Sequence, residues 1–173
     1  MIERYFDLVQ RTSVLLALFA ATLVLTFLVF PALPVGGELL DLKPGGYGHA
    51  EAMAALEGYG ERGRTVYAWS SVLLDTLFPA VYASMFAGVF LRFAPIDALK
   101  AAAWVPLALG VVDLGENAQI TAMLVQYPDV SPSQVASASA FTVVKSFASN
   151  VCLVYGIAVL ALAGGRRLFR RSA

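Results

Sequence analysis

Apolar residues fall into four long runs, separated by shorter segments rich in glycine, proline and charge. The first extends from Ser13 to Pro34 with nothing more polar inside it than Thr22 and Thr26. At about 1.5 Å per residue it is long enough for a hydrocarbon core of about 30 Å. Arg4 and Arg11 precede it, as they would in a signal peptide. A removable apolar region is only about 7 to 15 residues long and ends at a small-residue cleavage site. This run is longer and closes on Phe30-Pro31-Ala32-Leu33-Pro34, so it is expected to be retained as a span.

The second run covers about 65–91 and is interrupted by Asp75 and Pro79. The third covers about 98–125, carries Pro106, Asp113, Glu116 and Asn117, and stops before the Tyr127-Pro128-Asp129 turn. The fourth covers about 134–163 with Lys145 and Asn150 inside it, and Gly164-Gly165 ends it ahead of a basic tail containing Arg166, Arg167, Arg170 and Arg171. The pattern predicts one all-α integral membrane domain over 1–173, an antiparallel four-transmembrane-helix bundle with a partly helical outer loop over 35–64. Four spans leave both termini on one side. Eight Lys and Arg residues flank the spans on that side (Arg4, Arg11, Arg92, Lys100 and the four tail arginines) against Lys43, Arg62 and Arg64 opposite. The excess places both termini in the cytoplasm of a bacterial-type inner membrane, with the tail as an anchor attracted to anionic lipid.

Composition agrees: 59% of residues are hydrophobic and 14% charged, well outside the range of soluble domains. Twelve basic residues balance twelve acidic ones, so no global field attracts nucleic acid, and no nucleic-acid partner is expected. A single cysteine, Cys152, and a single histidine, His49, exclude an intrachain disulfide and multi-histidine zinc motifs. No metal and no cofactor are implied.

The outer loop divides into a Gly/Pro-rich half, 36–48, and an Ala-rich half, 49–57, predicted to be helical with Ala50, Met53 and Ala54 as an apolar stripe capping the bundle. Gly46-Tyr47-Gly48 and Gly58-Tyr59-Gly60 lack the preceding Thr-Val and the pore helix of a potassium filter, and they read as turns permitting positive φ. The glycines also lack the Gly-Lys-Ser/Thr of a phosphate loop. His49 has no partner in the pattern and is expected to face solvent.

The informative residues are those that do not belong in lipid. A charged group at the centre of a span costs about 2.5 to 3.5 kcal/mol on insertion scales, so such groups face inward and find partners. Asp75 lies eleven residues after Arg64, Glu116 eleven before Tyr127 and Lys145 eleven after Gln134, which puts all three about 16 Å below the outer boundary. Thr26 falls near the same layer. Asp113, Glu116, Asn117 and Ile120 share one helix face, continued by Pro106, Leu109 and Gly110. On the fourth span Ala138, Thr142, Lys145, Ser149, Cys152 and Gly156 form a stripe of mostly small or polar residues suited to close packing, with Asn150 on its flank. Ser71, Asp75, Pro79 and Tyr82 form the corresponding stripe on the second. Pro79 has no N–H for the Asp75 carbonyl, which therefore needs another donor. Three carboxylates against one ammonium leave two formal negatives in low dielectric, to be neutralised by retained protons, a cation or a further basic group such as Arg64.

Three functions fit this layer. The first is a membrane-embedded site that binds or transforms an apolar small molecule, such as a lipid, isoprenoid or sterol-like compound, by acid/base chemistry. Asp113, Glu116, Asp75 and Lys145 would be its catalytic groups, and Asn117, Tyr82, Thr142, Ser149 and Trp69 its binding residues. Phe78, Phe86, Trp104 and Phe141 would serve as further walls. The second is a proton- or cation-coupled transport component, although the two halves share no repeat beyond a proline in each inner span. The third is a noncatalytic membrane subunit or assembly factor whose polar layer fixes packing, since polar contacts between membrane helices contribute about 0.6 kcal/mol on average. The expected partners are membrane lipids and an apolar ligand. The acids and the lysine sit in Asp75-Thr76-Leu77-Phe78-Pro79, Asp113-Leu114-Gly115-Glu116-Asn117 and Phe141-Thr142-Val143-Val144-Lys145. In span number and in burying acids the layout is similar to that of EXPERA-type proteins, a four-helix family of sterol-binding and sterol-isomerising membrane proteins. The similarity is one of layout, and no residue's role is taken from it.

Overall fold

The computed structural model describes residues 1–172, with side chains described through Arg166. Arg167, Arg170 and Arg171 of the expected anchor have side chains outside the described residues. The helices are α1 Ile2–Val9, α2 Thr12–Val24, α3 His49–Gly58, α4 Gly60–Phe93, the single turn α5 Asp97–Lys100, α6 Trp104–Gln126 and α7 Pro132–Ser172, and no strand occurs among the described residues. A π turn at Leu25–Val29 and a 3₁₀ turn at Phe30–Ala32 prolong α2.

Four stretches are long and apolar enough to cross a membrane, Thr12–Ala32, Gly60–Phe93, Asp97–Gln126 and Pro132–Arg166, with mean hydropathies of 2.6, 1.6, 1.5 and 1.9. The second and fourth overrun the apolar runs in the sequence because backbone hydrogen bonding continues past the point where side chains turn polar. Gly60 to Arg64 already lies in α4, and Gly164-Gly165 do not end the fourth helix as expected, since α7 runs on through both. The helix α1, which the hydrophobic pattern does not mark, docks against α4. The Tyr5 hydroxyl meets Ser84 Oγ at 2.9 Å, Phe6 packs edge-on against Trp104, and Arg92 donates to the Gln10 carbonyl at 2.8 Å.

α4, α6 and α7 pack on one another in all three pairings, and α2 packs along α4. Two hydrophobic cores result. One, at the loop end, joins Leu40, Ala52, Leu56, Tyr67, Ile120, Met123 and Val135. The other joins Tyr82, Phe90, Ala103, Leu109, Cys152 and Val159. Along their helices Asp75, Asp113, Glu116 and Lys145 fall between the residues of the two cores.

The loop does cap the bundle, but in a different helical phase from the one expected. Ala52 and Leu56 of α3 are fully buried, while Ala50 and Ala54 are exposed, so the buried face is set by what α3 lies on rather than by its own alanine spacing. His49 is half-buried, with Nε2 3.0 Å from the Val130 carbonyl, and does not face solvent alone. Gly46 and Gly60 have positive φ, as the Gly-Tyr-Gly turns predict. At Gly46 the turn also brings the backbone so close to α7 that a Cβ would lie 2.5 Å from Ser139 Oγ, and the following N–H, that of Tyr47, donates to that oxygen at 2.8 Å.

Candidate functional site

The face of α6 expected to look inward does so: Pro106, Leu109, Gly110, Asp113, Glu116, Asn117 and Ile120 are all buried. The α7 stripe faces it, with Ala138, Thr142, Cys152 and Gly156 buried and Lys145 and Ser149 half-buried. Two facing stripes carrying their charges at matching depth bring Lys145 against the acids. Its ammonium pairs directly with Glu116 Oε2 and lies 3.6 Å from Asp113 Oδ1. Glu116 is 0% exposed, and its Oε1 has no hydrogen-bond donor among the described residues. Tyr82 of α4 donates to Asp113 Oδ2 at 2.7 Å.

A third carboxylate reaches Lys145 that the hydropathy pattern does not single out. Asp41, in the loop between α2 and α3, has Oδ2 3.9 Å from the ammonium. Tyr67 of α4 donates its hydroxyl to Asp41 Oδ1, and the Asp41 N–H donates back to the Tyr67 oxygen at 3.4 Å. In sequence Asp41 is one acid among several in a polar loop. Its only signal is the apolar pair Leu39-Leu40 before it, and Leu40 is fully buried in the cap.

The carbonyl of Asp75, released by Pro79, accepts from Asn117 Nδ2 at 2.7 Å. The Asp75 carboxylate has neither ion pair nor hydrogen bond among the described residues and lines a cavity of about 590 Å³. That cavity lies between α2 and α7, over α4 and α6. Its polar end is formed by Asp41, Asp75, Asp113, Asn117 and Lys145, and Thr22, Thr26, Ser70 and Ser149 add hydroxyls. Its apolar walls include Phe30, Phe78 and Phe86, with Phe30 edge-on to Phe78 at 5.2 Å and Phe78 edge-on to Tyr82 at 5.1 Å.

Of the expected binding residues, Asn117, Tyr82 and Ser149 line this cavity. Thr142 is buried behind it, donating to the Ala138 carbonyl at 3.2 Å. Trp69 is 62% exposed and belongs to a separate hollow with Arg64 and Tyr127. Trp104 packs on Phe6, and Phe141 on Gly115, where a Cβ would come within 2.6 Å of its ring. Arg64 does not help the acids: it donates to the Leu56 carbonyl at 2.9 Å and lies over the Tyr127 ring at 4.3 Å. Lys43 is likewise committed, to Glu51 at 2.5 Å and Glu38 at 3.2 Å, and those two acids hold it protonated above its ordinary range. Glu38 also lines the cavity but is paired with Lys43, which leaves cavity and cluster with four further carboxylates, Asp41, Asp75, Asp113 and Glu116, against the one ammonium of Lys145. Among the described residues no three His, Cys, Asp or Glu side chains are grouped to hold a metal ion, and the centre of the acidic cluster is taken by Lys145 itself.

An all-helical chain with four helices of membrane-crossing length and a polar-ended cavity among them is the class that fold and site define. No protein-family model, curated protein or solved structure matches it.

Proposed function

We propose that the chain is an integral membrane protein, an antiparallel bundle with both termini cytoplasmic, which binds an apolar small molecule in the cavity and is equipped to exchange protons with it. Insertion is supported by the apolar side chains turned outward all round the helices, among them Phe19, Phe27, Leu28, Leu77, Val111, Phe147 and Val154. Such a belt would be unsustainable in water and is ordinary in lipid.

The observation that carries the function is a cavity of about 590 Å³ with aromatic walls and a charged end. Pure helix adhesion would be served by filling that space, because an empty volume forfeits packing. Its size suits a drug-sized ligand, and a mostly apolar lining with a few convergent polar groups is the usual form of a small-molecule site. Asp113 and Asp75 face the ligand space and are the groups placed to give and take a proton. Lys145 holds the Asp113 charge in place, and Glu116 anchors Lys145 from behind.

Native mass spectrometry of gently extracted protein tests this. A bound lipid, isoprenoid or sterol-like molecule is expected on the native chain and is expected to be lost from Ser149→Phe, which fills the cavity. A chain that emerges bare, with Ser149→Phe behaving identically, would leave the layer as a packing device.

A further inference from the structure

The charges around the cavity do not balance. Lys145 already faces Asp41, Asp113 and Glu116, and at the loop end Lys43 and Arg64 are engaged elsewhere while Arg62 is exposed. One acceptor facing the cavity remains unused. Asp75 presents a carboxylate to the cavity with no donor among the described residues, whereas fully buried Glu116 sits behind Lys145 and does not line the cavity. Acceptors left over in low dielectric attract a group that brings donors and positive charge. The walls around Asp75 add to this. Phe78 and Tyr82 follow it one and two turns along α4, with Phe30 opposite, and aromatic faces attract a cation. The unfilled space runs between Thr22, Thr26 and Phe30 on one side and Ser149 and Leu153 on the other, which is room for a chain but holds no further charge.

We propose that the ligand is a single-headed amphiphile whose head is a protonated amine, seated against Asp75 with its apolar chain between α2 and α7. This rests on the small-molecule reading above and adds the charge of the head. The test is saturable binding of radiolabelled dodecylamine to the full chain in lipid nanodiscs, with empty nanodiscs subtracted, in competition with dodecanol and dodecanoate of the same chain length. One site per chain is expected, with dodecylamine at least about tenfold tighter than dodecanol and dodecanoate weakest. Asp75→Asn keeps the shape and removes a carboxylate that the fold does not use, and it is expected to bring the amine and alcohol within about threefold. Should that variant fail to fold, Asp41→Asn at the cavity's loop end is expected to lower the same ratio.

Dodecanol or dodecanoate binding as tightly as the amine would overturn the charge assignment and leave the apolar-ligand reading standing. An amine preference unmoved by Asp75→Asn would overturn the seat at Asp75. Absence of saturable binding by all three would remove both proposals.

Discussion

Asn117 on α6 donates its side-chain amide to the backbone carbonyl of Asp75 on α4, 2.7 Å away, at the one point where Pro79 deprives that carbonyl of its helical partner. A helix in lipid must satisfy its backbone internally or borrow a donor, and here the donor comes from the neighbouring span. Asn117→Ala is expected to destabilise by about 1–3 kcal/mol, the cost of stranding a buried acceptor. Pro79→Ala restores an N–H four residues after Asp75. The double variant Pro79→Ala/Asn117→Ala is therefore expected to lose less than the sum of the two single ones in reversible unfolding. Strict additivity would show that the amide and the proline are not coupled.

Among the described residues Lys145 is the only cation paired with the three carboxylates Asp41, Asp113 and Glu116. Lys145→Met leaves them facing one another in low dielectric and is expected to cost roughly 3–5 kcal/mol, the usual penalty for breaking a buried pair from one side. Adding Glu116→Gln is expected to recover part of the loss. A Lys145→Met protein more stable than wild type in the same unfolding measurement would mean that the ammonium is not needed to hold the acids.

Gly88 lets α1 lie on α4, since a Cβ there would come within 2.3 Å of the Val9 carbonyl oxygen. Gly88→Ala is expected to push α1 off, at a cost of about 1–3 kcal/mol for the overpacking. Tyr5→Cys and Ser84→Cys, whose parent side chains touch at 2.9 Å across the length of the tyrosine ring, are too far apart for a disulfide, but a short bifunctional thiol reagent of that length should bridge them in the wild-type background and poorly with Gly88→Ala. Gly58, with nothing within 4 Å of its Cβ position, is the control, and Gly58→Ala should leave the cross-link intact.

Tyr47 reaches down from the loop, and burial pushes its phenol up to about 12 from an ordinary value of about 10. The fold favours the neutral form. That contribution is complete below pH 10 and is lost as the pH climbs towards 12, because the unfolded chain gives up the proton first. In a tyrosine absorbance titration, subtracting the Tyr47→Phe curve from wild type should isolate a step near pH 12. A step near pH 10 would show a hydrated phenol.

Much of this architecture is legible in one dimension. Four apolar runs long enough for a bilayer, the inward face of α6 and the small-residue stripe of α7 all follow from helical spacing, because a helix maps sequence interval directly onto direction. The orphaned carbonyl at Asp75 follows from Pro79 alone, since a missing N–H is a covalent fact. What the spacing does not contain is where a loop lands. Asp41 enters the charged cluster because Leu40 is buried in the cap and Tyr67 takes its carboxylate, and neither contact has a period in the sequence. For the same reason the cap turned Ala52 and Leu56 inward rather than Ala50 and Ala54. Trp69 and Arg64, apolar and basic in the right region, stand on the outside of α4 because the direction of a helix face is decided by its neighbours. The chain by itself determined which residues share a face and a depth. Only packing α2, α4, α6 and α7 together decided which face looks into the cavity and which acid from the loop completes its floor, since burial is a property of surfaces in contact and not of any one segment.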